Sequence, residues 1–161
     1  MTSLRPAPPW HVSRWFNSPP LRLDDLRGRV VVAHAFQMLC PGCAALALPQ
    51  MQRVHKAFPA ERLAVIGLHT VFEHHAVQGP LALEAFLHEY RYTFPVGVDM
   101  STDGDPLPQT MRTYAMQGTP TLLLIDAQGL LRQQHFGAVD DLALGAALGG
   151  LLAEMDSSAL H

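Results

Sequence analysis

The run Val30-Val31-Val32-Ala33-His34-Ala35-Phe36, followed after three intervening residues by Cys40-Pro41-Gly42-Cys43, decides the fold. A continuous β-branched run suits a central strand buried on both faces. The cysteine pair then opens a helical stretch with Leu48, Met51 and Phe58 among its apolar positions. Pro41 fits the first helical turn, where a missing N–H costs nothing. Pro49 is expected to kink the helix further on, because proline removes a backbone bond and crowds the preceding turn.

Working outward, Leu63–Leu68 reads as a second strand. Leu83, Phe86, Leu87 and Tyr90 recur at helical spacing, with Pro80 near the helix start. Phe94–Asp99 reads as a short strand and residues 106–115 as a short helix. Thr121–Asp126 and Leu130–Phe136 flank the turn Ala127-Gln128-Gly129, so these two strands are antiparallel to each other. A last helix opens near Asp140-Asp141, good N-cap residues, and buries Leu144, Leu148, Leu151, Leu152 and Met155. The order β-α-β-α-β-α-β-β-α predicts an α/β fold, a mixed central sheet flanked by helices. Five of the 13 prolines fall in residues 1–20. This segment is therefore expected to be irregular, with a short hairpin at Asn17-Ser18-Pro19-Pro20, and residues 1–14 to form a lead-in to the domain.

The chain has 161 residues, which fits one domain of 15–156, with 157–161 as a disordered tail. Hydrophobic residues make up 48% and charged residues 16%, which excludes a mainly disordered chain. No apolar stretch reaches about 18 residues, so no membrane span is expected. The formal net charge of -3 gives no basic excess to attract nucleic acid or an anionic membrane. Met1–Trp10 has no apolar h-region, so a cytoplasmic location is expected, with thiols in a reducing pool.

The two cysteines carry the chemistry. At a helix N-terminus, unpaired N–H groups and the positive end of the dipole favour a thiolate at Cys40. The thiolate is the nucleophile of disulfide exchange. Cys43, one helical turn on, is placed to attack a mixed disulfide formed at Cys40. The alternatives are half of a zinc or copper site completed by some of the nine histidines, and inert core cysteines. The strand-to-helix placement favours redox chemistry. Gly118-Thr119-Pro120-Thr121 precedes the TLLLID strand. Pro120 there is a candidate for a cis peptide, with an ordinary trans turn as the alternative. A cis bond would present the Thr119 backbone to a substrate strand.

These residues resemble a known family. CPGC after VVVAHAF, followed by GTPTLLLIDAQGLL, is similar to the thioredoxin-like thiol-disulfide oxidoreductases of the TlpA and redoxin (AhpC/TSA-like) type. PLRLDDLRGRVVV resembles that family's lead-in. VIGLHTVFEHH, a helix and FPVGVD resemble its βα insertion. VIGLHT and WFNS also look like the thioredoxin domains of DipZ and NHL-repeat-containing oxidoreductases. The resemblance implies a thioredoxin fold with a TlpA-like insertion. It implies Cys40 as attacking cysteine, Cys43 as resolving cysteine and Pro120 as cis-proline. Thr119, Pro41 and Gly42 are then substrate-facing positions.

No organic cofactor is expected, because the electrons travel on the two sulfurs, and no metal is expected. The partners that the resemblance implies are a disulfide-containing protein or small molecule and a thioredoxin-reductase- or glutathione-type electron donor. The chain departs from the family in Leu39, where tryptophan is usual, and in its Pro-Gly dipeptide. The peroxiredoxin positions ahead of the cysteine hold Ala33 and Gln37 rather than Pro and Thr or Ser. A thiol peroxidase using Cys40 is thus an alternative reading, as is a Cu/Zn carrier using the cysteine pair and a histidine.

His34 lies six residues before Cys40, where thioredoxin has a buried acid. It is a candidate to take the proton of Cys43, against the alternative of a core histidine bonded to backbone. His69, His74 and His75 follow a strand end on the expected active-site side. They read as substrate or metal contacts or as a solvated loop. Phe36, Met38, Leu39 and Phe72 are candidates for an apolar substrate rim, or for core.

Overall fold

A computed structural model describes residues 4–160 of the chain. Seven strands form one mixed sheet: β1 (Arg5–Pro6), β2 (Val12–Phe16), β3 (Val30–Phe36), β4 (Leu63–His69), β5 (Val96–Asp99), β6 (Thr121–Ile125) and β7 (Leu130–Phe136). Their order across the sheet is β1-β7-β6-β3-β4-β5-β2. β3 runs parallel to β4 and antiparallel to β6, so the valine run is the centre of the sheet. Every residue of β3, β4 and β6 is buried, as a strand packed on both faces requires.

Alternation along β3 sorts the core into two layers. Val30, Val32 and Phe36 face α1 (Leu48–Ala57), α2 (Pro80–Glu89) and α4 (Asp141–Ala159), meeting Met51, Leu83, Leu87, Leu144 and Leu148. Val31, Ala33 and Ala35 face the other side, where Met111 of α3 (Gln109–Thr113), Tyr114 and Trp10 pack. α4 opens as the sequence predicts: the Asp140 carboxylate accepts from the N–H groups of Leu142 and Ala143. The β4–α2–β5 segment is the insertion, and it adds β5 parallel to β4.

Three expectations need correction. In the lead-in, the described residues 4–14 hold two stretches of strand joined by irregular chain. β1 pairs with β7 and β2 with β5, one at each edge of the sheet, where proline is tolerated because one row of N–H groups has no ladder partner. A domain boundary at 14/15 would cut β2 in two. No hairpin forms at 17–20. Asn17 turns the chain at φ 65°, and its side-chain amide donates to the carbonyls of Tyr92 and Phe94. The expected tail is helical as far as Ala159, because α4 continues beyond its last core contact; His161 lies outside the described residues.

Close backbone approach explains one glycine. A Cβ on Gly97 would stand 2.8 Å from Val12 Cγ1 and 3.2 Å from the Trp15 ring, so β2 lies against β5 only without that atom.

Candidate active site

β3 ends at Phe36, and Gln37–Cys40 forms a tight turn in which the Cys40 N–H donates to the Gln37 carbonyl at 3.2 Å. The Cys40 carbonyl accepts from the Ala44 N–H at 3.0 Å, so Cys40 stands at the N-cap and Pro41 at the first helical position. The next turn, Cys43–Ala47, is π-helical, with the Leu48 N–H reaching back to the Cys43 carbonyl. Pro49 cannot donate and crowds the turn before it, and the widened turn relieves that crowding.

Both cysteines are free thiols; Cys40 is half-buried and Cys43 is buried. The Cys43 N–H donates to the Cys40 sulfur at 3.3 Å. The Cys40 thiol points at the Thr119 carbonyl, 3.5 Å away. The Thr119–Pro120 peptide is cis. A Cβ on Gly42 would lie 3.6 Å from the Pro120 ring, so the dipeptide between the cysteines faces the cis-proline loop. Burial, and then the neighbouring Cys40 thiol, push the Cys43 thiol up to about 12. The buried thiol is therefore protonated at neutral pH and needs an acceptor before it can attack.

His34 is 1% exposed and lies on the layer of β3 that packs under α1. Neither ring nitrogen has a protein hydrogen-bond partner, so it is not the backbone-bonded core histidine of the alternative reading. It lines a cavity of about 300 Å³ with Ala47, Gln50, Arg53, Val139 and Asp141. Burial lowers its pKa to about 4, which keeps it neutral at pH 7. Gln50 closes one wall, its amide donating to the Val139 carbonyl and to the Asp141 carboxylate.

The other histidines separate. His69 is the last residue of β4, buried and tilted against the Phe36 ring at 5.2 Å. Its Nε2 accepts from the Met38 N–H at 3.3 Å, so it shapes the turn before Cys40 and is no loop residue. His74 is exposed, and His75 contacts the Pro106 carbonyl. Among the described residues, no three His, Cys, Asp or Glu side chains converge into a metal-binding group. Phe36 and Met38 are core residues, whereas Leu39 is 54% exposed beside Cys40.

Sequence reading missed two buried amides. Gln37 Oε1 accepts from the N–H groups of Phe72 and Glu73, and from the Gln78 amide at 3.1 Å. Its own amide donates to Thr119 Oγ1 at 3.2 Å. Gln78 Oε1 in turn accepts from the Leu39 N–H at 3.1 Å. The only available signal was Gln37 itself, an amide three residues before the cysteine where a peroxiredoxin carries a hydroxyl.

A central strand leading into a C-x-x-C helix cap, faced by a cis-proline loop in a mixed sheet, defines a thioredoxin-like protein. The chain belongs to the AhpC/TSA family, whose model matches residues 5–134, and so to the thioredoxin-like thiol-disulfide oxidoreductases. It is similar to the thioredoxin-like superfamily protein SPOA0173, with 55% identity, 91% of this chain and 96% of that one covered, and a TM-score of 0.89. It is also similar to a thiol-disulfide isomerase from Corynebacterium glutamicum, with 48% identity, the same 91% and 96% coverage, and a TM-score of 0.88. A thioredoxin-like protein solved in its oxidised form shares the fold at 21% identity, with 96% and 99% covered and a TM-score of 0.77. No curated protein matches the chain.

Proposed function

We propose that the protein catalyses thiol-disulfide exchange through Cys40 and Cys43, acting as a reductant of protein or small-molecule disulfides in the cytoplasm. The observation that carries this reading is the Cys40 sulfur held between the Cys43 N–H and the Thr119 carbonyl. The half-buried Cys40 attacks one sulfur of a substrate disulfide. A mixed disulfide forms and one substrate thiolate leaves. An extended substrate segment pairs with the backbone at Thr119, in the manner of strand addition. Cys43 then gives up its proton and attacks Cys40. The second substrate thiol leaves, and the Cys40–Cys43 disulfide holds the two-electron deficit until a thioredoxin-reductase- or glutathione-type donor restores it.

His34 is the proton acceptor in this scheme. It is neutral, unpartnered and buried on the Cys43 side of the sheet. Burial holds the Cys43 thiol protonated and His34 neutral, so transfer of the proton ahead of bond formation is disfavoured on both sides. The proton therefore moves as the S–S bond forms, when the leaving sulfur takes up the charge.

Thiol trapping and mass spectrometry in graded glutathione buffers test the reading. The expected result is a reversible two-electron couple between about -280 and -120 mV. Failure to form an intramolecular disulfide anywhere in that range overturns it.

A further inference from the structure

The exchange reading leaves unexplained why two glutamines are buried beside the active site. Gln37 is 2% exposed and Gln78 is 4% exposed. Both are saturated with partners. The Gln37 oxygen accepts three donors, from Phe72, Glu73 and Gln78, and its nitrogen donates to Thr119 Oγ1 and weakly to Glu73 at 3.5 Å. Gln78 spans from the Glu73 carbonyl to the Leu39 N–H. Three segments distant in sequence meet here: the turn before Cys40, the insertion loop 70–79 and the cis-proline loop. A buried amide whose donors and acceptors are all used fixes one geometry, because any shift leaves a polar atom unpaired in a low-dielectric site.

We infer that Gln37 is a positioning residue: its side-chain bond to Thr119 Oγ1 fixes the strip of backbone on which a polypeptide substrate pairs, and anchors that strip to the insertion loop. Resting on the exchange reading, this assigns the insertion a part in binding protein substrates. The Gln37 amide touches neither sulfur. Its loss therefore acts on Thr119 and on binding, while the cysteine pair keeps its helix-cap geometry. Among the described residues, the hydroxyl of Thr119 is the side-chain atom through which the network reaches the substrate-pairing backbone.

A double-mutant cycle in insulin reduction, with dithiothreitol as terminal reductant, tests this. Gln37→Met, Thr119→Val and the double variant are compared for KM and kcat. One lost hydrogen bond predicts that each single variant raises KM roughly three- to tenfold, with kcat within about twofold in Gln37→Met, whose amide touches neither sulfur. The double variant should raise KM no further than the more affected single variant, because both changes remove the same bond. Multiplicative effects would mean that Thr119 meets substrate independently of Gln37 and would overturn the inference. An unchanged KM in Thr119→Val overturns it as well, and that variant decides alone if Gln37→Met does not fold. Absence of turnover by the unsubstituted protein overturns the exchange reading and this inference with it.

Discussion

The backbone N–H of Cys43 points at the sulfur of Cys40 across 3.3 Å, while the Cys43 side chain itself is fully buried. The two thiols are one helical turn apart, yet only Cys40 is open to a substrate. The asymmetry predicts distinct fates for the two serine variants. Cys43→Ser should accumulate a stable mixed disulfide between Cys40 and an added disulfide substrate, seen as a mass adduct. Cys40→Ser should form none, because the remaining thiol is buried and protonated. Equal labelling of the two variants would contradict the assignment.

Alkaline pH should weaken the reduced protein. Burial raises the Cys43 thiol from 9.0 to about 12 in the folded state. Between those values the unfolded chain has released a proton that the folded chain retains. Stability is therefore full below about pH 9 and falls as pH rises toward 12. Urea midpoints of the reduced protein at pH 8 and pH 10 measure this. The drop should shrink in Cys43→Ala, whose lower overall stability is read separately at pH 8.

Acid should act through the buried histidines. His34 and His69 are both lowered by burial to about 4. Between about 4 and 6.5 the unfolded chain binds protons that the folded chain refuses, so stability is full above 6.5 and falls as pH drops. Each group contributes on the order of 3 kcal/mol across the full window. His34→Leu should flatten the loss of stability between pH 7 and pH 5. In exchange assays, His34→Asn should slow resolution of the mixed disulfide and change its pH profile. An unaltered profile would remove His34 from the proton path.

Asp99 offers a test of the fold beneath the site. Its carboxylate accepts from the N–H groups of Thr110 and Met111 and from the Thr70 hydroxyl. Asp99→Ala strands these buried donors and should cost about 2–4 kcal/mol. For a domain of this size that is a fall in Tm of about 5–12 °C. Asp99→Asn keeps one acceptor oxygen and should lose less. Calorimetry of the three proteins checks the order.

Much of the fold was legible because its signals are local. The valine run, the TLLLID hairpin and the Asp140 cap each carry their own physics within a few residues. The cysteine pair was legible for the same reason. The edge strands were not, because proline-rich segments read as irregular and their partners lie far along the chain: Arg5 pairs with Leu131, and Trp15 with Gly97. His69 was misplaced by one position at a strand end, where boundaries blur. The hydrogen bond from the Gln78 amide to the Gln37 oxygen was invisible because nothing in either residue's neighbours announces a partner 41 positions away.

The two edge strands have a consequence for how the protein stays separate from its neighbours. Residues 5–16 supply the outermost strand on both sides of the sheet, β1 beside β7 and β2 beside β5. A sheet edge with unpaired N–H and C=O groups is a template for another chain. One short N-terminal segment thus covers β5 along its length and the first two residues of β7. Cutting it away would bare the border of β5 and lengthen the open one along β7 while leaving the dithiol in place, and the trimmed protein should stack into higher-order species on storage.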